Sequence, residues 1–187
     1  MCQKLLGDAR LYEALTRIDA ELCEEVRLGS CPFCGATLHR ADYPRKPRGG
    51  PPGLPESYRK RLGLCCSAEG CRHRSTPPSV RFLGRRVYLG VVVVLACVFE
   101  SGVSAQRLAV LQAELGVSRR TVMRWRRWWL QDFASSDFFR AARGRFRTPV
   151  ESGDLPATLL ARFLGDARAQ LVSLLRFLSP LTTAYSG

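Results

Sequence analysis

Five of the eight cysteines in this chain fall in two tight clusters about thirty residues apart, Cys31-Pro-Phe-Cys34-Gly35 and Cys65-Cys66-Ser-Ala-Glu-Gly-Cys71. A tetrahedral metal site needs two such pairs, each on a turn tight enough to aim both sulfurs at one point. The first cluster has the C-x-x-C-G form of a zinc knuckle, in which the glycine lets backbone amides turn toward sulfur. The second offers Cys66-x4-Cys71 or Cys65-x5-Cys71. Cys66 is the expected ligand, because its spacing is closer to the usual loop and Leu62 and Leu64 share its strand face. Cys65 is the alternate. The expected site is therefore Cys31, Cys34, Cys66 and Cys71 around a structural zinc, which folds a segment too small to fold alone. His39 and His73, candidate substitutes, stand beside arginines and read as surface residues. Cys2, Cys23 and Cys97 read as small buried hydrophobes.

Charge narrows the choice of partner. The net charge is +13 with a pI near 10.1, and of 29 basic residues only Lys4, Lys46 and Lys60 are lysine. GC-rich codons explain arginine over lysine, but not the excess of bases over acids. Guanidinium forks match phosphates and guanine edges, which favours nucleic acid. The first residues lack the apolar region of a secretory signal. The most apolar stretch, Leu89 to Phe99, has eleven residues, against roughly 20 for a membrane span. The expectation is a cytoplasmic, nucleoid-associated protein without a membrane partner, whose clustered cysteines hold metal rather than disulfides. A redox dithiol at Cys31 and Cys34 would want a buried strand before it, and a charged helix precedes it instead.

The chain divides into four expected parts. Residues 1–29 carry an N-terminal amphipathic helix over 4–28, with Leu11, Leu15, Ile18 and Leu22 at helical spacing and Glu21, Glu24 and Glu25 opposite. Gly29-Ser30 ends it. Residues 30–80 form the zinc ribbon, interrupted by a basic Pro/Gly loop at 40–57 in which no regular element is expected. Arg45, Lys46 and Arg48 in that loop are candidate secondary DNA contacts along a phosphate backbone or in a minor groove. Residues 81–134 form a three-helix unit and 135–187 a C-terminal helical segment. The fold class expected is mainly α with a small β zinc ribbon.

Within the third part, Gly102, Ser104, Gly116 and Ser118 punctuate three helices. The segment from Ser104 to Trp125 resembles a helix-turn-helix. Leu108, Leu111 and Leu115 form its inner face, Gly116 supplies the left-handed turn residue, Val117 plugs the corner and Ser118 caps the next helix. Gln112 stands where the motif usually has a small residue. On a helical wheel of about 100° per residue, Val122, Trp125, Trp129 and Phe133 share one arc. Arg119, Arg120, Met123, Arg124, Arg126 and Arg127 fill the other, and no acid occurs from Arg119 through Leu130. Such a helix docks by one face and meets a major groove with the other. Arg119, Arg120, Met123 and Arg124, in its first turns, are placed for base edges, and Arg126 and Arg127 for phosphates. Trp128 falls at the border. The apolar run Leu89 to Phe99 becomes the buried first helix of the unit.

Residues 156–178 read as one amphipathic helix whose broad leucine face either docks on the body or pairs with a second copy as a homodimer. The acids after the third helix, Asp132, Asp137, Glu151, Asp154 and Asp166, lie outside the apolar strands that would hold a metal-binding active-site pair.

Taken together, Cys31-Pro-x-Cys34-Gly35, the Cys66 and Cys71 pair, the stretch from Phe82 to Tyr88 and the stretch from Val117 to Trp125 resemble the N-terminal DNA-binding half of bacterial insertion-sequence transposases. The resemblance covers roughly residues 31–133. In those families a zinc ribbon and a helix-turn-helix recognise terminal repeats, and a ribonuclease-H-like domain with an acidic triad does the chemistry. No such triad is found in this sequence. The resemblance thus implies a non-enzymatic, zinc-stabilised protein that binds double-stranded DNA: a terminal-repeat-binding subunit, a relic or a domesticated derivative. The competing expectations are an active transposase or recombinase component, a zinc-ribbon transcription regulator, and an RNA- or protein-interaction module.

Overall fold

The computed structural model describes residues 5–45, 47–48, 53–83, 89–100 and 116–183, with backbone alone for 97–100. Helix α1, Ala9–Leu28, begins where the Asp8 carboxylate accepts from the Arg10 amide and ends at Gly29. The expected start at residue 4 is corrected, because Gly7-Asp8 interrupts the helical run. Leu11, Tyr12, Leu15, Ile18, Asp19 and Cys23 are its buried residues.

The ribbon follows. Strands β1 (Leu38–Arg40), β4 (Leu64–Cys66) and β5 (Arg74–Ser75) form an antiparallel sheet in the order β1-β4-β5, with Leu38 opposite Cys66 and Arg40 opposite Leu64. Strands β2 (Tyr43–Pro44) and β3 (Lys60–Arg61) make a second, two-stranded ladder. The basic loop is therefore not without regular structure, contrary to expectation: a 3₁₀ turn at Glu56–Arg59 leads into β3, and the Arg45 amide donates to the Arg59 carbonyl at 2.6 Å. Pro44 is tolerated because this is a short edge strand, where a missing N–H costs little. Gly63 lets the two ladders meet. Its amide donates to Asp42, its carbonyl accepts from Ala41, and a Cβ there would sit 2.8 Å from the Ala41 oxygen.

In the helical body the first described helix is α2, Gly90–Glu100. Leu89 and Val91 to Ala96 are all buried. Valines are indifferent helix formers, so burial of residues 91–96 on all sides, rather than propensity, stabilises this helix. It packs against α3 (Arg119–Arg127) and α6 (Ala167–Leu178). The helical course of α3 continues as a π-helical turn, Trp128–Phe133, which brings Trp129 and Phe133 into the core beside Val122 and Trp125. Ser136 then caps α4, Asp137–Arg143.

The long helix expected over 156–178 is two helices, α5 (Ala157–Leu160) and α6. Gly165 takes a left-handed φ of 103° and Asp166 accepts from the Ala169 amide, so the chain stops and recaps between them. The leucine stripe of α6 (Leu171, Leu174, Leu175 and Leu178) is buried within the chain, where Leu175 lies against Gly90. Its apolar face is thus occupied by the body.

Among the described residues the buried apolar side chains form two clusters, a small one in the ribbon around Cys23, Leu38 and Leu64 and a large one in the helical body. Helix α1 contributes to both. Its Asp19, fully buried, accepts from Ser79 Oγ at 2.7 Å, the Val80 amide at 2.7 Å and Arg81 Nε at 2.6 Å. Arg81 also donates to the carbonyls of Ser57 and Lys60, and its guanidinium lies over the Tyr58 and Phe82 rings. Thr182 Oγ1 accepts from the Ser79 amide. This polar knot ties α1, the ribbon, the linker and the chain's C-terminal turn into one body.

Candidate functional site

The Sγ atoms of Cys31, Cys34, Cys66 and Cys71 all lie within 4.8 Å of one another. Cys31 and Cys71 are 3.8 Å apart, and Cys34 and Cys66 are 3.4 Å apart. Four sulfurs around a zinc at about 2.3 Å define a tetrahedron with edges of about 3.8 Å, so the spacing suits a tetrahedral ion.

Local backbone explains the convergence. The Gly35 amide donates to the Cys31 carbonyl and the Cys31 amide to the Ala36 carbonyl, each at 2.8 Å, which closes the first knuckle, and Gly35 turns at φ 72°. In the second knuckle the left-handed residue after the last cysteine is Arg72, at φ 46°. The Phe33 amide, then that of Cys34, points at the Cys31 sulfur and holds its pKa down to about 7. The Ala68 amide points at Cys66 and that of His73 at Cys71. Amides aimed at sulfur favour the thiolate, an effect that prevails at Cys31, while at Cys71 burial and the neighbouring thiols outweigh it and the pKa is raised. Burial nevertheless pushes the Cys66 thiol up to about 12, so without a cation it keeps its proton. The tetracysteine cluster could hold a metal ion.

Cys65 stands on the other face of β4, with its sulfur toward the Cys66 and Arg72 carbonyls, outside the cluster. His39 is exposed, and His73 stacks on Phe33 with ring centroids 3.9 Å apart. Cys23 is buried under the ribbon. Cys2 and the Cys97 side chain lie outside the described residues.

The second candidate surface is α3. Gly116 has φ 60°, Val117 is buried, and the Ser118 side chain accepts from the Thr121 amide. Residues 101–115, which would carry the first helix of the helix-turn-helix, lie outside the described residues. Val122 and Trp125 are buried, while Arg119, Arg120, Met123, Arg124 and Arg127 are exposed and Arg126 is half-buried. Arg127 donates to Gln131. Among the described residues, no carboxylate lies within ion-pair distance of Arg119, Arg120 or Arg124. Trp128 is half-buried against Trp129 and Phe133. In the basic loop, Arg45 is half-buried, Arg48 is exposed and its carbonyl accepts from the Leu89 amide, and Lys46 lies outside the described residues.

The buried knot of Asp19 and Arg81 was not foreseen. One signal was present: Asp19 follows Leu15 by four positions and Ile18 by one, so it sits within the apolar stripe of α1 rather than on its acidic side. Among the described residues, no helix is long and apolar enough to cross a membrane. Compared with protein-family profiles, curated proteins and solved structures, the chain matches none.

Proposed function

We propose that this chain is a zinc-stabilised protein that binds double-stranded DNA without catalysing a reaction on it, with α3 as the groove-facing helix. The observation that carries this reading is the division of α3: an apolar stripe docked on the body, and an outer face of exposed arginines without a carboxylate among them. Solvated helix faces ordinarily mix both signs. An arginine-rich face complements phosphates and guanine edges, and the N-terminal turns of such a helix enter the groove first. Arg119, Arg120, Met123 and Arg124 are assigned to base edges, and Arg126 and Arg127 to phosphates. Zinc is assigned to the four cysteines because four thiolates at tetrahedral spacing suit it, with all positions filled and none open for chemistry.

The test is selection of bound sequences from a random duplex pool, with metal content measured on the same sample. The expected result is an enriched site and one zinc per chain. Capture of structured RNA in preference to duplex at the same salt concentration would contradict the reading.

A further inference from the structure

A second run of arginines lies beyond α3. From Phe138 to Val150 the chain carries Arg140, Arg143, Arg145 and Arg147 and no acid. Arg140 is paired with Asp137. Arg143 ends α4, where a cation complements the helix dipole. Arg145 and Arg147 have no such structural use. Both are exposed, on either side of a half-buried Phe146, and among the described residues no carboxylate lies within ion-pair distance of Arg143, Arg145 or Arg147.

Phe146 fixes this loop. Its ring meets Phe163 edge-on at 5.9 Å between centroids and Phe177 at 5.6 Å. Phe177 meets Phe138 at 5.1 Å, Phe138 meets Phe133 at 6.4 Å, and Phe133 meets Trp129 at 4.8 Å. At the loop's far end, Arg162 donates to the Pro149 carbonyl at 2.8 Å. An unbroken series of aromatic contacts thus joins the arginine loop to the end of α3. Packing Phe146 inward anchors the loop and leaves Arg145 and Arg147, on either side of it, in solvent. A cluster of guanidiniums on an anchored loop matches a polyanion, and duplex phosphates supply one at regular spacing.

We infer that Arg143, Arg145 and Arg147 form a phosphate-backbone clamp that grips duplex DNA at a fixed offset from α3. This rests on the duplex-binding reading of α3 and adds a contact independent of sequence. Such a clamp orients the protein on the duplex without reading bases.

The experiment measures affinity for a labelled mixed-sequence duplex at stepped salt concentrations, comparing the metal-loaded wild type with the variant carrying Arg143→Gln, Arg145→Gln and Arg147→Gln. Three lost phosphate contacts make the log–log salt slope shallower by about 2.7, with any sequence preference kept. The matching triple lysine variant restores most of the slope. A wild-type slope near zero overturns the duplex reading of α3, and this inference with it. A steep wild-type slope that the glutamine variant leaves unchanged overturns the clamp alone. Should the triple variant fail to fold by its melting curve, Arg145→Gln alone decides, with an expected decrement of about 0.9 against none.

Discussion

Arg81 Nε donates to Asp19 Oδ2 at 2.6 Å, and neither side chain reaches solvent. The pair joins the N-terminal helix to the segment leaving the ribbon, sixty-two residues further along the chain. With Ser79 and the Val80 amide completing the carboxylate's shell, the contact sets how the ribbon sits on the helical body. A buried ion pair adds little over an apolar pair of equal volume, but half of one is costly.

Asp19→Ala therefore leaves Arg81 buried without its counter-charge. Loss of one partner from such a pair costs about 3–5 kcal/mol, readable as a lowered urea midpoint. A shift corresponding to under about 1 kcal/mol, the range of surface pairs, would show that Asp19 does not carry the junction.

The two adjacent cysteines make opposite predictions. Cys66→Ser removes a converging sulfur and lowers zinc content sharply, whereas Cys65→Ser leaves it at the wild-type level, as read by elemental analysis of purified protein. Because burial holds the Cys66 thiol protonated, metal uptake must expel that proton. Zinc affinity therefore rises with pH and falls as the medium is acidified. A pH-independent affinity would contradict a thiolate site.

Within α3 the roles separate by position. Arg120→Ala or Arg124→Ala relaxes sequence preference, with about 1–3 kcal/mol of discrimination lost at the affected base. Arg127→Ala weakens all duplexes alike. Quantitative binding to the selected site and to single-base variants distinguishes the two patterns, and equal, sequence-independent losses at all three positions would remove the reading roles.

Tyr12 and Tyr58 are buried edge-on, 5.5 Å apart, each donating its hydroxyl to a backbone carbonyl, of Leu6 and of Tyr12 respectively. Burial raises both phenols well above their ordinary value. A raised acid contributes stability in full below its unfolded pKa of about 10, and that stability is lost as pH rises through the folded value. Alkaline unfolding is thus expected to coincide with ionisation of these two phenols in a spectrophotometric titration. Their ionisation with the fold intact would contradict the packing.

The parts legible in the sequence were those governed by local spacing. The knuckle pattern marks Cys31 and Cys34 by the two-residue gap and Gly35. The two faces of α3 follow from its helical period, because Val122 and Trp125 recur on one side of the wheel and Arg120, Arg124 and Arg127 on the other. What escaped the reading depends on distant partners. The pairing of Tyr43 with Arg61 spans a Pro/Gly-rich segment whose composition alone favours coil. The break at Gly165 was masked by leucines that kept a helical period across it. Asp19 has no meaning until Arg81 is placed beside it.

The arginine face of α3 is proposed to meet duplex phosphates and bases. The most direct test is the salt dependence of duplex binding by the zinc-loaded chain. Phosphate contacts from Arg126 and Arg127 of α3 and from Arg143, Arg145 and Arg147 predict a slope of log affinity against log salt of about −4.5, at about −0.9 per contact. The variant with Arg119→Gln, Arg120→Gln and Arg124→Gln is expected to bind without sequence preference, and the variant with Arg126→Gln and Arg127→Gln with a slope shallower by about 1.8. A wild-type slope near zero, or a variant indistinguishable from the wild type, would contradict the claim.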